Sequence, residues 1–230
     1  MASALPRPVL PLFLSFNAGF VDTAGFLALQ GLFTAHVTGN FVTLGASLAL
    51  GTSGVIAKLL ALPVFCVVVI ASRLFGTWLS NRKARAFEML LGVKIVLLIA
   101  GAVLAIHFGP FHDGDSREAI TTGMLLVAAM AIQNAVHRVH LGSSPPSTLM
   151  TGTTTQVMLD LADSIYPRDE GQVQTTRLIQ MSTNVIVFAI GCGAAALLYA
   201  RLGVWCFVVP PVVAAASLII RLIEAPKTAS

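Results

Sequence analysis

The stretch Leu10-Pro11-Leu12-Phe13-Leu14-Ser15-Phe16-Asn17-Ala18-Gly19-Phe20-Val21-Asp22 opens an apolar run that continues to Phe33 and then gives way to Thr34-Ala35-His36-Val37-Thr38-Gly39-Asn40. A run of this length is what an α-helix needs to cross a bilayer, roughly 20 residues. Asn17 and Asp22 interrupt it. An ionised carboxylate near mid-membrane costs at least about 2.5–3.5 kcal/mol on insertion scales, so lipid-facing filler is a poor account of Asp22. A much shorter apolar piece follows, from Phe41 to Leu50. Thr151-Gly152-Thr153 repeats the Thr-Gly signature after another long apolar run, and again a short piece follows. These features read as the walls of a transport site.

Composition fixes the class. Hydrophobic residues make up 56% of the 230 and charged residues only 10%, with a mean hydropathy of +0.86. Soluble domains carry about 25% charged residues, so this chain lacks the polar surface to face water all round. It reads as an all-α integral membrane protein with several spans, its first partner being the lipid bilayer. The net charge of +4 does not point to nucleic acid, because basic residues such as Arg82, Lys83 and Arg85 lie in short segments flanking apolar runs. Such segments mark cytoplasmic loops. Cys66, Cys192 and Cys206 sit in apolar runs with no CxxC spacing, so no disulfide, metal site or cofactor is expected. Arg7 with the run behind it resembles a signal peptide. The run is too long, contains Asp22 and lacks a small-residue cleavage site, so an uncleaved first span is expected.

Six long spans are predicted: Val9 to Phe33, Ala57 to Leu79, Phe87 to Phe108, Glu118 to His140, Arg177 to Tyr199 and Gly203 to Ile223. Two short segments, Phe41 to Leu50 and about Gln156 to Ile165, do not reach across. Pro63 and the pair Pro210-Pro211 are expected to kink their helices. Superimposing Thr151 on Thr38, an offset of 113 residues (151 − 38), carries the first span, the short piece, the second span and the third onto counterparts without a gap. The single membrane domain, 1–230, is therefore expected to hold two repeats, about 9–108 and 118–223. They repeat hydropathy and one motif rather than residue identity, as transporter repeats do.

Charge in the loops bears on whether the short pieces cross. If both enter and leave on the same side, Arg7, the turn 81–85, Arg138, Arg168, Arg177, Arg221 and Lys227 share one face. The acidic Asp113-Gly114-Asp115 then falls on the other face, with only Lys58, Arg117 and Arg201 as basic company. The positive-inside rule prefers this arrangement. It gives six transmembrane helices plus two re-entrant half-helices, with both termini cytoplasmic in a bacterial inner membrane. Three spans per half make the repeat inverted.

Asp22 reads either as a proton, cation or substrate site, or as a neutral acid in a packing hydrogen bond. Ala18 and Gly25 on its face allow close helix approach. Thr38-Gly39-Asn40 and Thr151-Gly152-Thr153 read as capped helix starts, aiming free N–H groups and positive dipole charge at a polar or anionic solute. The alternative is ordinary loops at the membrane surface. Thr43, Thr154 and Thr155 add hydroxyls to such a lining. Gln133, Asn134 and His137 lie in the fourth span, with Gln133 and His137 on one face, as a pore lining or a structural cluster. Asn17 completes the candidate set. His36, His107, His112 and His140 read as interfacial, and Arg73 and Lys94 as side chains that snorkel to the surface. Gly45 with Ala49, and 191–196, offer small faces for helix packing. Trp78 and Trp205 read as interface aromatics.

Gly45-Ala46-Ser47 faintly resembles the serine loop of intramembrane proteases, but Leu48 stands where a glycine should follow. No zinc spacing, phosphate loop or dinucleotide fingerprint is present, so an enzyme is not expected. Asn17-Ala18-Gly19-Phe20-Val21-Asp22 followed by His36-Val37-Thr38-Gly39-Asn40 resembles the opening of the YoaK-like family. Gln133-Asn134-Ala135, then Thr148 through Met150 to Thr151-Gly152-Thr153, resembles its second block. The resemblance covers nearly the whole chain and implies a bacterial multi-pass membrane protein, with no established substrate and no catalytic residues to carry over. The expected function is a transporter or channel for a small polar or anionic solute, a homo-oligomer being open. The rival is a structural or accessory membrane protein whose buried polar residues fix helix packing.

Overall fold

The first apolar run stops being a helix sooner than its hydropathy predicts. Helix α1 spans Val9–Ala28, because Gln30 and Gly31 take left-handed backbone (φ 54° and 83°) and the Gly31 N–H turns back to the Phe26 carbonyl. That is a helix-ending geometry in which glycine carries no Cβ penalty. The computed structural model describes residues 9–142, 144–148, 150–166 and 175–224. Arg7, Arg168 and Lys227 of the charge count lie outside them.

After α1 come a 3-10 turn at Val37–Gly39, α2 (Asn40–Leu50), α3 (Val55–Asn81), α4 (Ala86–Phe108), α5 (Arg117–His140), α6 (Met150–Ile165) and α7 (Thr175–Leu202). A second 3-10 turn, Gly203–Val208, leads into α8 (Val209–Glu224). No strand occurs among the described residues. Four segments, α1, α3, α4 and α5, are long and apolar enough to cross a membrane, and so is the run Thr175–Ile223 that takes in α7 and α8. Pro63 lies inside α3. Pro210-Pro211 do not kink a long helix as expected. They stand in the first turn of α8, where a missing N–H costs nothing because that donor has no helical partner.

Helix α1 packs along α7, and α3 packs along α5. Likewise α1 meets α8 and α4 meets α5, while α2 lies on α3 and α6 on α7. The pairings α1–α7, α1–α8 and α2–α3 thus have analogues in α3–α5, α4–α5 and α6–α7. At the α1–α7 crossing the backbones nearly touch: a Cβ on Gly19 would fall 2.2 Å from the Phe188 carbonyl oxygen, and one on Gly191 would fall 2.3 Å from that of Phe16. The expected small face on α2 is different. Gly45 has open space around it and Ala49 is exposed, so neither packs a neighbour.

Contacts at the helix termini define the two ends of the bundle. At one end Gln30 donates to the Phe111 carbonyl, the Gly114 N–H donates to Ser53, and Asp115 accepts from the N–H groups of Gly54, Val55, Ile56 and Ala57 at 2.8–3.2 Å. This carboxylate caps α3, countering the positive end of its dipole. The end of α1, the start of α3 and the turn 109–116 therefore sit together. At the basic end, Arg221 of α8 pairs with Glu88 of α4 at 3.3 Å and lies over the Phe87 ring, which meets His140 of α5 edge-on.

Candidate functional site

Both non-helical segments that precede the short helices turn back into the bundle, and a polar side chain on the adjoining long helix holds each one. Beyond Ala28 the chain returns to the level of Asp22, roughly 9 Å back along α1 at 1.5 Å per residue. There Asp22 Oδ1 accepts the N–H groups of Thr34 and Ala35, each at 2.7 Å, with those of His36 and the Thr34 hydroxyl at 3.4 Å. Its other oxygen meets His36 Nδ1 at 2.7 Å. Asn40 holds the same segment from the far side, its amide oxygen and nitrogen pairing with the N–H and C=O of Phe33 at 2.8 Å each. Leu32, Thr34 and Ala35 are buried as a result. Irregular backbone at membrane depth is tolerated only where protein satisfies it, and here two side chains do so.

The second segment, 144–148, follows the same plan. Thr148 donates to the Asn134 oxygen at 2.5 Å, and Gln133 Nε2 donates to the Ser147 hydroxyl at 3.0 Å and to the Leu14 carbonyl at 2.9 Å. Asn184 of α7 donates to the Pro145 carbonyl and accepts from Ser15 of α1. Gln133 Oε1 takes Lys94 Nζ at 2.5 Å. Lys94 is 0% exposed. It does not snorkel, contrary to the expectation: two turns of α4, roughly 12 Å, separate it from the basic end, and its head turns inward to Gln133. No Asp or Glu lies within ion-pair distance of it among the described residues.

Counted along their helices, about two turns from the basic end, α1, α4, α5 and α8 carry the fully buried polar residues Ser15 and Asn17, Lys94, Gln133 and Ser217. Ser217 donates to Val213 within its own helix. Among the described residues Asn17 has no hydrogen-bond partner for either amide atom, and neither has His137 Nδ1. His137 Nε2 lies 3.4 Å from the Ser144 carbonyl. An orphaned buried amide costs about 1–3 kcal/mol.

The predicted helix starts look different from the expectation. No side chain caps α2, because its N-cap residue is Gly39, and the Asn40 amide that follows is spent on Phe33. Thr38 is exposed, and Thr43 donates weakly to the Asn40 carbonyl at 3.4 Å. Thr151-Gly152-Thr153 do not form a loop: α6 begins at Met150, so they occupy its first turn, Thr153 buried and the other two exposed. Helix α2 lies on α3 and α6 on α7, with no extensive contact between the two short helices. The structure thus gathers Asp22, Thr34, His36 and Asn40 at one level and Gln133, Asn134 and Ser147 at another, while the two Thr-Gly starts lie apart. His36 is a hydrogen-bond partner of Asp22 rather than an interfacial bystander.

Sequence reading missed Lys94, Ser147, Thr148, Asn184 and Asp115 as working residues. Lys94 carried the same signal as Asp22, an ionisable group inside an apolar run. Asp115 carried none, because capping a helix 58 residues away (115 − 57) is a purely tertiary event.

A helical bundle with its polar groups gathered inside and apolar side chains outside defines a multi-pass membrane protein. The chain belongs to the family described as "Protein of unknown function (DUF1275)", whose profile matches residues 10–220. It is similar to the UPF0700 transmembrane protein YoaK of Bacillus subtilis (strain 168), with 30% identity over 197 residues, 83% of either chain. The resemblance read from the paired sequence blocks is borne out. No solved structure matches.

Proposed function

We propose that this protein is a small transporter or channel for a small polar or anionic solute, which passes a polar layer centred on Lys94, Gln133 and Asn17. The observation that carries the reading is Lys94: fully buried, bonded only to a neutral amide, and without a carboxylate partner among the described residues. Ionisable groups inside a membrane are rare, and they mark substrate or ion pathways unless paired. The orphaned Asn17 amide gives a second unmet polar group at the same depth.

The architecture behind the proposal has six spans and two re-entrant half-helices in an inverted repeat, with both termini cytoplasmic. Its support is fourfold. Gln30, Ser53 and the amides of 54–57 all bind the 111–115 turn, so the segment from α1 to α3 leaves and returns at one end. The fold-back of 33–36 and of 144–148 starts each short helix inside the bundle. The matched packing of α1 on α7 and α3 on α5 fits two halves related by a pseudo-two-fold axis. The basic turn 82–85 marks the cytoplasmic end.

The rival accessory role draws on a specific observation too, since Asp22 and Gln133 are saturated with hydrogen bonds that fix loops. An enzyme is disfavoured. Lys58 Nζ does reach Ser47 Oγ at 2.6 Å, the pair a serine–lysine hydrolase uses. The two are only 4% and 2% exposed, and Thr52 also donates to the serine, so the hydroxyl serves to tie α2 to α3.

The deciding experiment is flux in proteoliposomes with chloride, phosphate, acetate and succinate, for the native chain and Lys94→Met. Flux abolished by Lys94→Met, with thermal stability kept, supports transport. Absence of flux for every solute, with Lys94→Met as stable as or more stable than the native chain, favours the accessory role.

A further inference from the structure

A cleft of about 220 Å³ opens between α3, α4 and α5 at the basic end, lined by Arg73, Gly76, Thr77, Ser80 and His140 among others. The Arg73 guanidinium is exposed and makes no hydrogen bond or ion pair with any described residue, although it stands two turns inside α3 and its carbonyl accepts from the Thr77 hydroxyl. The nearest acid on α4, Glu88, is committed to Arg221. The charges of Arg221 and Arg73 reach His140 with that of Glu88 opposing them, and the turn that follows α3 adds Arg82, Lys83 and Arg85. The cleft is therefore positively charged, with its carboxylate already taken and the Ser80 hydroxyl beside it. Gly76 keeps the floor open: a Cβ there would only touch Leu90 at 3.5 Å, but a longer side chain would enter the space. Outside the rim lies apolar surface, Leu74 and a stacked Phe75–Trp78 pair, with Arg82 over the Trp78 ring.

We propose that this cleft binds the phosphate of an anionic phospholipid, Arg73 and His140 holding the headgroup while an acyl chain lies along Leu74 and Trp78. The physical basis is general. Basic pockets between membrane helices at the cytoplasmic surface hold anionic headgroups, with about 1 kcal/mol from each nearby Lys or Arg, and a guanidinium matches phosphate oxygens in a fork. The site is separate from the Lys94 layer, so it stands whether or not the transport reading does.

The test uses the full chain in nanodiscs, with Trp205→Phe as background so that Trp78 is the reporter. Brominated phosphatidylglycerol should quench Trp78 more than brominated phosphatidylcholine does. Arg73→Gln should weaken the preference about fivefold, the equivalent of 1 kcal/mol. Gly76→Leu should abolish it by filling the cleft, and Arg201→Gln, far from the basic end, should leave it unchanged. Inorganic phosphate should compete in the native chain and not in Arg73→Gln if phosphate itself is the recognised group; failure to compete, with the lipid preference retained, assigns part of the binding to the acyl chain. Equal quenching by the two lipids, or an unaltered preference in folded Arg73→Gln, would overturn the proposal.

Discussion

Lys94 Nζ stands 2.5 Å from the Gln133 side-chain oxygen in the closed centre of the bundle, and the other end of the same amide binds Ser147 and Leu14. One glutamine thus joins a buried amine on α4 to the loop that precedes α6. Burying an amine without an opposite charge is costly, so an apolar isostere gives up little there, whereas leaving the Gln133 oxygen without a donor costs about 1–3 kcal/mol. Lys94→Met is therefore expected to shift unfolding stability by no more than about 2 kcal/mol while abolishing flux. Detergent unfolding and proteoliposome flux, measured on the same preparation, check this.

Asp22 should behave in the opposite way. Its carboxylate meets the N–H groups of Thr34 and Ala35 and the His36 ring, so Asp22→Ala orphans several buried donors at once. The expected loss is about 3 kcal/mol or more. Asp22→Asn keeps one oxygen acceptor and should lose roughly half as much. Equal losses for the two substitutions would mean that volume, not hydrogen bonding, is what the site requires.

Asp115→Ala removes the acceptor of four amides at the start of α3. Loss of a helix cap costs about 0.5–2 kcal/mol. Hydrogen exchange at residues 54–57 should accelerate, with little change near Asp22. Protection that persists at 54–57 would contradict the capping role.

Gly19→Val and Gly191→Val each drive a side chain into opposing backbone at the α1–α7 crossing. Overpacking of this kind costs about 1–3 kcal/mol and more where backbone is the obstacle. Gly45→Val, on the open face of α2, is expected to be tolerated. The three thermal midpoints, compared directly, decide it.

Much of the fold was legible in the chain because a bilayer allows so few options. Long apolar runs became α3, α4 and α5 with boundaries shifted by two residues or fewer, since only a helix satisfies its own backbone in lipid. Hydropathy extends the first span five residues past Ala28, because it cannot see that Gln30 and Gly31 reverse the chain. The Thr-Gly motif is legible in the sequence, but its local geometry is not. In α6 it lies within the helix, and ahead of α2 the working group is Asn40, which faces backward to Phe33. Lys94 was dismissed as a snorkelling side chain because distance to a helix end says nothing about which neighbour stands beside it.

The class, the long helices α3, α4 and α5, and the presence of acids, amides and a lysine where lipid would not have them are all written in the chain. Apolar length and the cost of burying charge are local properties, readable one segment at a time. Packing decides which of those groups find partners: Asp22 a returning backbone, Asp115 a distant helix start, Gln133 the amine of Lys94, and Asn17 none among the described residues. Hydrogen bonds act over about 3 Å, and residues far apart in the chain come that close only once the helices have packed.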